Sequence, residues 1–101
     1  MRLSEKEIKV IKTAAQKVWG ANVKVRLFGS RADDTKKGGD IDLLINPGRN
    51  LNPRELVLSK ANFLSQLFIS MGEQRVDVII ESPEKENLPI IKTALETGII
   101  V

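Results

Sequence analysis

The chain of 101 residues contains no cysteine, no histidine and no tyrosine, and only 4% of it is aromatic. Without cysteine there are no disulfides, no thiolate nucleophile and no sulfur-based zinc site; without histidine there is no imidazole base and no donor of the type most used for transition metals. No apolar run approaches the roughly 20 residues of a membrane-spanning helix. The N-terminus passes directly from Met1-Arg2-Leu3 into a polar, amphipathic pattern, so neither a signal core nor secretion is expected, and the expected location is cytoplasmic. A net charge of +3, spread along the chain, makes no basic stripe, so no extended nucleic-acid surface is expected. What remains is oxygen chemistry with hard cations. The 42% hydrophobic and 29% charged content suits one compact domain over residues 1–101, with partner or dimer surfaces left to supply further contacts.

Local signals divide the chain cleanly. Ser4 and Glu7 form a capping-box pattern, Leu3 and Ile8 occupy the two staple positions, and Gly20 follows the last turn, predicting a helix over 5–19. Its apolar stripe, Ile8, Ile11, Ala15, Val18 and Trp19, marks Trp19 as core rather than as a base-stacking platform. Residues 23–28 alternate Val23, Val25 and Leu27 against Lys24, Arg26 and Phe28, the period of a strand. A second strand follows Asp40. Asn52, Pro53 and Glu55 open another helix, predicted over 53–71 with Leu51 and Leu56 as its staple. In it Val57, Ala61, Leu64, Phe68 and Met71 trace one face and Leu56, Phe63 and Leu67 widen it, enough to fill a broad core or to meet a partner. Residues 75–81 read as a strand that places Asp77 among apolar neighbours. Leu88 to Thr97 reads as a third helix ending at Gly98, with Ile99-Ile100-Val101 as a short strand or docking tail. This order predicts an α/β (α+β) domain: a mixed β-sheet flanked by helices, the two long ones on one face.

Within that frame three features point to chemistry. Gly29, after the strand ending in Phe28, permits a tight turn and close backbone approach to a ligand, and Ser30 adds a hydroxyl and an N–H suited to phosphate oxygens. Asp40 and Asp42 are two residues apart on one strand, so both point to the same face with Cα atoms roughly 6.6 Å apart. Two carboxylates about 4 Å apart repel by on the order of 4 kcal/mol at an effective dielectric near 20, so the pair calls for a cation or a shared proton. With Asp77 as a third acid the set suits Mg²⁺, which takes oxygen ligands, and two ions can clamp the attacking and leaving oxygens of an in-line displacement. On this reading Asp40, Asp42 and Asp77 are the metal ligands and catalytic residues, Asp77 also orienting or accepting the proton of the attacking hydroxyl. Gly29 and Ser30 grip the outer phosphates of a substrate, and Arg31, with its bidentate fork, binds the remaining phosphate charge alongside Lys36 or Lys37. Asp33-Asp34-Thr35 reads as a turn.

At these residues the sequence resembles the minimal nucleotidyltransferases of the DNA polymerase beta superfamily, above all the small proteins paired with HEPN-domain toxins. Leu27-Phe28-Gly29-Ser30-Arg31-Ala32, Gly39-Asp40-Ile41-Asp42-Leu43-Leu44 and Val76-Asp77-Val78 carry the resemblance, in the family's order. It implies a nucleotidyltransferase fold, ATP as substrate, magnesium at Asp40, Asp42 and Asp77, and transfer of AMP to a hydroxyl of a partner toxin, with the chain acting as antitoxin. Many relatives follow the alanine with Arg-Gly where this chain has Asp33-Asp34. A chain without tyrosine cannot be its own tyrosine acceptor, so the acceptor is external. The alternatives are an interaction module that neutralises its partner by binding alone, and transfer to a small molecule or an RNA end. A homo-oligomer is left open.

Overall fold

The computed structural model describes residues 3–32, 39–82 and 87–101. Its elements are α1 (Glu5–Trp19), β1 (Lys24–Phe28), a single 3-10 turn (Gly29–Arg31), β2 (Ile41–Asn46), α2 (Pro53–Met71), β3 (Val76–Ile80), α3 (Pro89–Thr97) and β4 (Ile99–Ile100). Both long helices start as their sequences dictate. The Ser4 hydroxyl accepts from the Glu7 N–H at 3.1 Å while Glu7 accepts from the Ser4 N–H, and Asn52 and Glu55 repeat the exchange. Each exchange satisfies two of the orphan donors of a first helical turn. Hydrogen bonding by Ser4 holds Glu7 below the usual carboxylate range, and hydrogen bonding by Arg49 and then Asn52 does the same for Glu55.

The four strands form one mixed sheet in the order β3-β2-β1-β4. β1 runs antiparallel to β2 and β4, and β2 runs parallel to β3. The crossover between the two parallel strands is α2, as a parallel pair requires. Alternation along the strands separates two apolar clusters. On one face Val25, Leu27, Ile41, Leu43, Ile45, Val78 and Ile80 are buried beneath Ile11, Ala15 and Trp19 of α1 and Phe63 and Leu67 of α2. Trp19 is a core residue as expected, its ring 5.0 Å from that of Phe63. On the other face a smaller cluster, Phe28 and Leu44 with Ile91 and Ala94, lies under α3.

The broad apolar surface of α2 is divided: Val57, Ala61 and Phe68 of the traced face are exposed, while the buried residues are Phe63 and Leu67, two of those that widen it. Apolar side chains surround more than half of this helix, so periodicity alone cannot choose its inner face; the Phe63 ring, stacked obliquely on Trp19, decides it.

Candidate active site

The acids are placed by strand register. β2 and β3 pair with Asp42 directly opposite Asp77, and β1 pairs with Phe28 opposite Asp42. Opposed residues on neighbouring strands share a face, about 4.8 Å apart in the hydrogen-bonding direction. Asp42 and Asp77 therefore stand side by side at the end of the sheet where β2 and β3 begin, on the face covered by α3. Asp77 is exposed and Asp42 half-buried. Asp40, two residues before Asp42, points the same way from the segment leading into β2, and its carboxylate is met by the Arg75 guanidinium at 3.7 Å.

Charge accumulates on Asp42. Partial burial, the charges of Asp77 and Asp40, and a side-chain hydrogen bond with Asp77 together push its carboxyl above the usual range. Retaining a proton or receiving a cation relieves this conflict. Among the described residues no three acidic groups close around one ion: Asp42 and Asp77 adjoin, whereas Asp40 is partnered by Arg75. The expected triangle is thus a tight pair with a third carboxylate held beside it by an exposed arginine. Donors that are all carboxylate oxygen, one of them desolvated and crowded by like charge, fit a hard divalent cation.

The turn after β1 is built against the same carboxylate. Gly29 has φ +73°, and a Cβ there would collide with Asp42 Oδ2. Glycine is required twice over, by backbone conformation and by the close approach of the acid. Ser30 is the middle residue of this turn. Arg31 Nη2 donates to the Gly39 carbonyl at 3.1 Å, joining the turn to the residue before Asp40, and its charge reaches Glu7 at the start of α1. Lys36, Lys37 and the turn at 33–35 lie outside the described residues.

Two neighbours escaped the sequence reading. Phe28, opposite Asp42, forms the apolar wall of the site, and Arg75 is the cation beside Asp40. Parallel pairing of Ile41 with Val76 puts 75 next to 40, but that register becomes legible only once the two strands are known to pair. A cavity of about 600 Å³ opens at the opposite end of the sheet, beside Asn46 and Arg49, and contains none of the three aspartates. The candidate site is the end of the sheet where the carboxylates and the Gly29 turn meet.

No curated protein is significantly similar to the chain. The family model for the nucleotidyltransferase domain, however, matches residues 8–101, a span that includes the Gly29 turn, all three aspartates and every strand of the sheet. With a mixed four-stranded sheet carrying paired aspartates beside a glycine turn, the chain belongs to the nucleotidyltransferase domain family, as a minimal member of the polymerase beta superfamily.

Proposed function

We propose that this nucleotidyltransferase moves AMP from ATP onto a hydroxyl of a partner protein, a HEPN-type toxin, and thereby silences it. The observation that carries the reading is the Asp42–Asp77 pair at an open sheet end, with Gly29 packed against Asp42. Asp40, Asp42 and Asp77 would hold Mg²⁺, which when bound neutralises triphosphate charge and favours departure of the leaving oxygen. The chain's own groups do the rest. Backbone N–H groups of the Gly29–Arg31 turn orient the outer phosphates. Asp77, the more exposed of the paired acids, orients the acceptor hydroxyl and takes its proton. The hydroxyl oxygen then bonds to the α-phosphorus as the bond to the β-phosphate oxygen breaks, and pyrophosphate leaves.

The test incubates the protein with ATP, Mg²⁺ and the product of the adjacent gene, and weighs that product. A mass gain of one adenylyl group, lost with Asp42→Asn in a chain of unchanged circular dichroism, is expected. Absence of both the adduct and pyrophosphate release with an active partner overturns the proposal.

Neutralisation by binding alone is a second reading. It is favoured by the apolar side chains left exposed on the surface, Leu88, Ile90 and Leu95 around α3 and Ile100 on the edge strand β4. Full suppression of the partner by a chain carrying Asp40→Ala and Asp42→Ala would select this reading over the enzymatic one.

A further inference from the structure

The outer face of α2 repeats itself when read backwards. Val57 and Leu58 are 69% and 56% exposed near one end, Phe68 and Ile69 are 57% and 81% exposed near the other, and the exposed small residues Ala61 and Ser65 lie between. About position 63 these fall into mirror-related places: 57 with 69, 58 with 68, 61 with 65. At 100° per residue the six occupy one band opposite Phe63, which points into the core. Arg54 and Gly72 cap the same band. A helix face whose pattern survives reversal is complementary to itself in an antiparallel pair, the condition a two-fold interface imposes.

We propose that α2 is the dimerisation helix of this protein and that the occupant of its apolar face is a second copy of the chain, packed antiparallel. Three observations choose a second copy over an unrelated partner. The first is the reversal symmetry, which a heterologous contact has no use for. The second is charge: exposed Arg54 at the start of one α2 falls beside exposed Glu73, just past the end of the other, so opposite charges meet at both ends of the contact. The third is shape. A groove of about 580 Å³, lined mainly by apolar side chains that include Leu64, Phe68 and Met71, lies at the C-terminal end of α2, where the antiparallel partner brings its Val57 and Leu58. Knobs at one end thus meet a hole at the other, and Ala61 and Ser65 let the helices approach closely at the centre. The aspartates lie on the opposite face of the sheet, so both active sites of the dimer face outward, free to receive substrate.

Sedimentation velocity on the full chain across a concentration series tests this. Wild type is expected to pass from 11.2 kDa to twice that mass, and Ile69→Glu to raise the dissociation constant by more than roughly tenfold, as loss of a buried apolar anchor does. Arg54→Glu or Glu73→Arg alone should weaken the dimer, and the two together in one chain should restore it. Because the natural chain has no cysteine, disulfide trapping reports the direction cleanly: a mixture of Ala61→Cys and Ser65→Cys chains should cross-link more than either alone. Cross-linking of Ala61→Cys with itself in preference to the mixture would reject the antiparallel arrangement. A wild-type chain that stays monomeric throughout the series, or a dimer indifferent to Ile69→Glu in a variant of normal circular dichroism, overturns the proposal.

Discussion

On one face of the sheet α1 and α2 seal Ile41, Leu43 and Ile45 of β2 against Ile11, Trp19 and Phe63, whereas on the other α3 covers Leu44 and Phe28 and leaves Asp77 exposed and Asp42 half-buried. The same strand serves both. Odd-numbered residues of β2 enter the larger core and even-numbered ones line the face of the acids, so a single alternation supplies a sealed core on one side and the candidate site on the other. Charge that would be intolerable under two helices is placed where one short helix leaves room for water, a cation and a substrate. The larger core and the candidate site are thereby separated by the thickness of a sheet, and substitutions on the two faces should report different things.

The largest effect is expected on the sealed face. Phe63→Ala removes a fully buried ring that holds α2 against Trp19 and should cost about 3–5 kcal/mol, with transfer activity per folded molecule unchanged. Ile91→Ala on the open face should cost nearer 2 kcal/mol, because the small cluster beneath α3 can collapse around the gap. Denaturant titration of the two variants checks the order. If Ile91→Ala proves the more damaging, α3 is a structural keystone and the division between faces is wrong.

Gly29→Ala comes next and should break the comparison in the other direction. The positive φ costs about 1 kcal/mol in any L residue, and the added methyl must displace the Asp42 carboxylate. Gly20→Ala is the control: its φ is +96°, but a Cβ there meets nothing within 4 Å. Both variants should lose stability to backbone strain, while Gly29→Ala alone should lose nucleotidyl transfer. Equal activity in the two would show that the turn does not position Asp42.

Much of this division was legible in the sequence. Both capping boxes and the helix spans 5–19 and 53–71 followed from side-chain chemistry that acts within four residues, and the alternation around Asp42 and Asp77 named the acids before any strand was paired. What the chain did not disclose is non-local. Whether Phe63 or Phe68 turns inward depends on Trp19, more than 40 positions away, and both rings lie on plausible apolar stripes. The Arg75–Asp40 ion pair and the wall formed by Phe28 depend on register, which a sequence of alternating strands leaves free. The carboxylates were recognisable by type and order, but not the resting arrangement in which two adjoin and the third is held by an arginine.

The smallest predicted effect concerns pH and isolates the open face. The Asp42 carboxyl is pushed up in the fold, first by burial and then by the charges of Asp77 and Asp40, so the folded state holds a proton that the unfolded chain gives up at ordinary carboxylate pH. Stability from that proton is present below the unfolded value and is lost as pH rises through the raised one. Glu7 and Glu55 work in the opposite sense. Held low, Glu7 by its capping bond and Glu55 by the Arg49 guanidinium and then its capping bond, they contribute stability above the unfolded value that disappears as pH falls. Asp42→Asn removes the first contribution and leaves the second, so the difference between wild type and variant, measured by urea denaturation without metal from pH 4 to 7, should grow in the variant's favour as pH rises. Millimolar Mg²⁺ should narrow that difference at pH 7 by stabilising wild type alone, because a cation offsets the same repulsion the proton offsets. A wild type and a variant that respond alike to pH and to Mg²⁺ would mean that the paired aspartates are relaxed by solvent, and the open face would then lack the electrostatic conflict that suits it to a metal.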